Sequence, residues 1–417
     1  MTLINGLSAG LFAIALLHTF SASLFLRLAH RSKRHAGLWH LLGEVEVVFG
    51  FWAAVLIIVM AFAGTGEQAL AYAESRNYTE PLFVFAVMVV AASLPVLTAV
   101  MRVVNVIARW IPVATTTAKV WLSLCLVPLA GSLITEPAAM TIAALMLGPQ
   151  VFHQGMPERL KYAALGVLFV NISIGGTLTS YAAPPVLMVA STWGWDSAFM
   201  FAHFGWKAAL AVLINATVVT YCLKAHVRSA DVMAGARQNA PVSAVAIAIH
   251  LLFLAGIVFF AHHPVIFLGL FLFFLGYTQA YAASQSRLII KEALLVGFFL
   301  AGLVVLGGMQ QWWLQPLVSS LEPAMLFLGA LGLTAITDNA ALTYLGSLIS
   351  GISDDAKYML VAGAVAGGGL TVIANAPNPA GAALLRGGFE NGAISMGGLF
   401  VAALAPTLVA GTALFLL

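Results

Sequence analysis

Two short polar steps inside long apolar runs hold the residues of this chain best suited to chemistry, Thr135-Glu136-Pro137 and Thr337-Asp338-Asn339. A charged side chain at the centre of an apolar span costs roughly 2.5–3.5 kcal/mol on insertion scales, so each acid needs a partner or a task. The steps lie in matching surroundings, SLITEPAAMT from Ser132 to Thr141 and TAITDNAALT from Thr334 to Thr343. Downstream, GGTLTSYAAPP from Gly175 to Pro185 matches GGGLTVIANAP from Gly367 to Pro377, and Gly194-Trp195-Asp196 answers Gly388-Phe389-Glu390. An internal repeat built around a shared site is implied.

The elements that must position these residues follow from composition. With 62% hydrophobic residues, 8% charged residues and a mean hydropathy of +1.01 over 417 residues, the chain lies outside the range of soluble domains. Uncharged stretches near 20 residues, without the alternation of a barrel, predict an all-α polytopic membrane protein embedded in a lipid bilayer. The net charge of +3 is spread between spans, which gives nucleic-acid binding no support. Cys125 and Cys222 lack metal or redox spacing and read as packing residues. The first span has no basic segment before it and reads as a retained helix.

Ten spans are expected, at 8–29, 41–63, 81–108, 160–190, 204–223, 241–262, 264–283, 291–308, 358–386 and 393–416, with the acidic steps in two further segments, 113–149 and 323–351. Arg27, Arg31, Lys33 and Arg34 place the first loop in the cytoplasm, and the loop with Glu67, Glu74 and Glu80 outside. Keeping the later basic residues inside then requires 113–149 to enter and leave on one side, as a re-entrant hairpin bent near Glu136. The same bookkeeping brings 323–351 in from the opposite face. Charge thus predicts an inverted repeat, residues 1–223 and 241–417 joined by a polar linker at 224–240, with both termini outside. The Gly175-Gly176 and Gly368-Gly369 clusters, with Pro184, Pro185 and Pro377, break the spans 160–190 and 358–386 into discontinuous helices. Unwound backbone at membrane depth is tolerated beside a cavity or another helix, and paired interruptions in two halves point to a transport site.

In the order hairpin, broken helix, hairpin, broken helix, these motifs resemble the ion transporter superfamily. That group contains NhaD-type sodium/proton antiporters, arsenite carriers, and citrate and dicarboxylate symporters. The Asp338-Asn339 step and the Gly-Gly-x-x-Thr break are most similar to the NhaD-type antiporters and to sequences described as "putative Na+/H+ antiporters". Glu136-Pro137 departs from the Asp-Asn pair of that pattern, and Ala182-Ala183 lacks a polar residue before the proline pair. The resemblance implies a bacterial inner-membrane location, scaffold and mobile regions, a homodimer and an elevator-like movement.

An antiport site must hold either a dehydrated cation or protons. Glu136 and Asp338 are expected to be the exchanging carboxylates and the Na⁺ ligands, with Thr135, Thr337, Asn339, Thr179, Thr371 and Asn375 as neutral oxygen donors. No resident cofactor is expected, the small ions Na⁺ (or another monovalent cation) and H⁺ being cargo. The bland alternative makes each acid a helix cap or the partner of a buried lysine. Glu44 and Glu46 read as solvated helix ends, with proton access as the alternative, and their spacing of two makes them a poor carboxylate pair. His250 reads as a packing residue and Lys119 as an interfacial one, snorkelling. A sodium-coupled anion symporter is the main rival, which acids at both tips oppose. Asn378-Pro379-Ala380 without a counterpart is weak support for a channel, and GLSAG at Gly6–Gly10 lacks the strand and His of a hydrolase.

Overall fold

In a computed structural model, residues 3–32, 34–228, 242–282 and 285–417 are described, and all secondary structure among them is helical. Most of the expected linker, from residue 229, lies outside the described residues. Six helices are long and apolar enough to cross a bilayer, or up to 8 if each bent pair is one span. The apolar helices Ala244–Phe259 and Pro264–Ala280, at 16 and 17 residues, are shorter than the spans read from the sequence.

Two bends were not legible. The span expected at 81–108 turns by 64° between Thr79–Ala91 and Leu94–Ala108, where Pro95 starts the second piece without an amide donor. Thr115–Leu124 and Leu126–Ile134 meet at 44°. There Pro128 cannot bond the Leu124 carbonyl one turn back, and the Asn171 amide donates to that carbonyl instead, at 2.7 Å.

The chain reverses at Thr135, and Glu136–Val151 returns along both preceding pieces. Gly131 faces Ala139, and Ser123 Oγ reaches Met146 Sδ at 3.7 Å, the register of an antiparallel hairpin. A second, looser hairpin joins Pro323–Thr334 to Asn339–Ser347. The two interrupted helices are Glu158–Gly175 continuing at Pro184–Trp193, and Asp354–Gly367 continuing at Asn378–Leu385.

Packing sorts most helices into two bodies. In the first, Val45–Ala63 lies between Leu3–Arg31 and Ile290–Gly307, which in turn packs on Thr79–Ala91. Gly50 and Gly302 face each other with no room for a side chain, as close helix crossings in lipid favour. The second body holds both hairpins, both interrupted helices, Trp206–Leu223 and Met396–Leu416. Its packing is reciprocal: Pro184–Trp193 lies on Asn339–Ser347 and Asn378–Leu385 on Glu136–Val151, so each half completes the other's hairpin.

Candidate functional site

Each hairpin tip is latched by its own half's break. Thr179 Oγ1 donates to the Ser132 carbonyl at 2.7 Å, and Thr371 Oγ1 to the Ala335 carbonyl at 2.9 Å. The structure therefore places both threonines as tip fasteners, and neither lines the central cavity described below. Ser132 strengthens the first latch, donating to the Gly175 carbonyl and accepting from the Leu178 amide. In the second break the Asn378 amide donates to the Gly368 and Thr371 carbonyls, at 2.8 and 2.9 Å. That use of Nδ2 mends unwound backbone.

Glu136 begins its helix fully buried. Its Oε2 accepts from Asn375 Nδ2 at 2.8 Å, and its Oε1 is buried with no hydrogen-bond partner among the described residues. A Cβ on Gly176 would lie 2.5 Å from that Oε1, so the glycine is what lets the carboxylate fit against the first break. No lysine or arginine pairs with Glu136 among the described residues, and the buried Lys161 is committed to Glu158 and the Gly388 carbonyl. A carboxylate sealed from water with one amide donor needs a second positive partner, and a metal cation or a proton would each serve.

Asp338 caps Asn339–Ser347, its Oδ1 accepting from the Ala340 and Ala341 amides at 2.8 and 3.3 Å. Capping fixes the side chain, and among the described residues Oδ2 accepts no hydrogen bond. Asp338, Thr337 and Asn375 line a cavity of about 40 Å³, where about 10–15 Å³ already holds one water. Asn375 thus joins Glu136 to the Asp338 cavity: its Nδ2 holds Glu136, while its Oδ1, in a residue 1% exposed, has no partner among the described residues. Asn339 is buried, its amide N–H donating to the Ala374 carbonyl and its Nδ2 reaching Ser173 Oγ at 3.5 Å. Among the described residues no three His, Cys, Asp or Glu side chains are grouped to hold a metal, so neutral oxygens dominate the donor set.

The breaks cross where Gly368 and Gly369 meet Ser173 and Val170 of the other interrupted helix. The sequence marked the glycines but not the partners. Glu46, read from the sequence as a solvated helix end with proton access as the alternative, lines the same cavity as Asp338. Its place at the start of an apolar helix, beside Glu44 and His40, looked like an ordinary interface.

Thr135 is the only non-glycine residue with positive φ among those described, at φ 75° and ψ 151°. That region is essentially restricted to glycine and costs about 1–3 kcal/mol, and its buried Oγ1 has no partner. Thr135→Gly should therefore raise the melting temperature of the detergent-solubilised protein and weaken cation binding, because strain and a donor oxygen leave together. A lower melting temperature in a thermal-unfolding scan would mean that the tip stores no strain.

Acids held beside interrupted helices inside an apolar helical body define an integral membrane transporter. The chain belongs to the family described as "Putative Na+/H+ antiporter", which matches residues 3–417. It is accordingly a transporter of the cation/proton antiport class and not an enzyme. Among solved structures it is similar to the Alcanivorax borkumensis YdaH transporter, at 14% identity over 89% of this chain and 96% of that chain, with a TM-score of 0.43. No curated protein matches the chain.

Proposed function

We propose that the protein exchanges a monovalent cation, Na⁺ foremost, for protons, with Glu136 and Asp338 as the groups that hold one or the other. The observation that carries this reading is the Asn375 side chain, bonded to Glu136 through Nδ2 while lining the Asp338 cavity. A change of occupant at one acid is thereby felt at the other. Thr135, Thr337 and Asn339 supply neutral oxygens nearby, consistent with the oxygen preference of hard cations.

In this scheme residues 1–223 and 241–417 act as two inverted copies, the first loop faces the cytoplasm, and the hairpins are re-entrant. The body holding both hairpins moves against the other, elevator fashion; the sparse packing between the bodies supports such sliding. Sodium-coupled anion symport fits less well. A cavity of about 40 Å³ facing an aspartate suits a small cation, whereas small-molecule pockets run to about 300–1,000 Å³.

The test is proton movement in everted vesicles, read with a pH-sensitive dye while Na⁺, Li⁺ and K⁺ are added in turn. Release of accumulated protons by at least one cation is expected. Silence toward all three, together with Na⁺-dependent uptake of a labelled carboxylate, would replace antiport with symport.

A further inference from the structure

We propose that Glu46 is an acidic oxygen donor to the cation held beside Asp338, supplied by the other body across the seam. This rests on the antiport reading above and extends it to a residue outside both hairpins.

The cavity beside Asp338 has two walls. Thr337, Asp338 and Asn375 form one, and Thr19, Glu46 and Phe49 form the other, from helices of the first body. Glu46 sits in the first turn of Val45–Ala63. Its neighbour Glu44 is already matched, with His40 Nδ1 at 3.4 Å and Lys291 Nζ at 3.3 Å from its Oε1. Glu46 has no ion pair among the described residues, and the basic group of the adjacent helix Ile290–Gly307, Lys291, is the one spent on Glu44. The charged groups facing Glu46 are then Glu44 on its own helix and Asp338 on the hairpin, both acidic.

Two carboxylates on one small, poorly hydrated space repel each other unless a positive charge lies between them. A second observation points the same way. Asn375, 1% exposed, lines this cavity, and among the described residues its Oδ1 has no hydrogen-bond partner. Two acids and an asparagine on one cavity, with the Thr19 and Thr337 hydroxyls as the other polar side chains of its lining, form an oxygen-rich shell that suits a small bare cation and disfavours an anion. The occupant inferred is a dehydrated Na⁺ or Li⁺ bridging Glu46 and Asp338. A cation bound there ties the two bodies together, and its departure frees the hairpin body to slide.

The experiment compares wild type, Glu46→Gln, Glu46→Asp and Glu44→Gln in two measurements. One is the apparent KM for Na⁺ in the vesicle assay; the other is the NaCl dependence of the melting temperature in detergent, against choline chloride. Glu46→Gln should raise both the KM and the Na⁺ concentration for half-maximal thermal protection about tenfold or more, the scale on which losing a metal-site partner acts. Glu46→Asp should fall between, and Glu44→Gln should match wild type. Unchanged Na⁺ dependence in Glu46→Gln overturns the inference, as does an equal effect of Glu44→Gln. Should wild type be protected by Na⁺ yet move no protons, the antiport reading fails, and the Glu46 variants still decide this one by thermal protection. If Na⁺ neither protects nor is transported, both fall.

Discussion

Glu136→Gln brings cation-driven proton release in everted vesicles down to the level of vesicles lacking the protein, and Asp338→Asn does the same. Both substitutions keep shape and remove charge. Glutamine at 136 retains a side-chain oxygen to accept from Asn375 Nδ2, the contact at 2.8 Å in the native protein. Asparagine at 338 remains among the best helix N-caps, so the start of Asn339–Ser347 survives. What disappears is the ability to neutralise a cation or carry a proton away, so a folded but silent transporter is expected. Normal elution on size exclusion beside lost activity is the paired readout. Retention of wild-type rates by both variants would remove these acids from the exchange and return them to capping and packing.

Gly369→Ala should destabilise the fold. A Cβ there would strike the backbone nitrogen and Cα of Val170, where the second break crosses the first interrupted helix. A flexible side chain could swing aside, but a helix backbone cannot. Overpacking of this kind typically costs about 1–3 kcal/mol, and more where backbone is hit. Gly387→Ala is the matched control, since a Cβ there meets nothing within 4 Å. The expected result is a lower melting temperature and reduced monodisperse yield for Gly369→Ala alone. Equal behaviour of the two variants would show that the crossing can relax.

The parts of this architecture that showed in the sequence are those where a residue breaks a local rule. Acids in apolar runs announced Glu136 and Asp338, and glycine and proline clusters announced both interruptions. Asn375 stood out as the one amide inside the second glycine-to-proline interruption. Less visible were features that depend on a distant partner. The bend at Cys125 requires the Asn171 side-chain amide to donate to the loose Leu124 carbonyl, which no local pattern states. Thr179 and Thr371, expected as neutral oxygen donors, each also donate a hydrogen bond to a hairpin-tip carbonyl, a pairing that tertiary packing decides and no local pattern states. The cavity position of Glu46 escaped for the same reason: its spacing from Glu44 argued against a carboxylate pair, and its actual counterpart lies almost 300 positions away at Asp338.

Reciprocal packing also sets the timetable of biogenesis. Glu136–Val151 is covered by Asn378–Leu385, so a nascent chain must be more than nine-tenths synthesised before the first acidic tip can be enclosed. Until then an acid destined for burial waits with its neighbours unmatched, and such long-range closure is slow and exposed to misassembly. Ribosome pausing or chaperone loss late in translation would accordingly damage this transporter far more than the same delay imposed near its amino terminus.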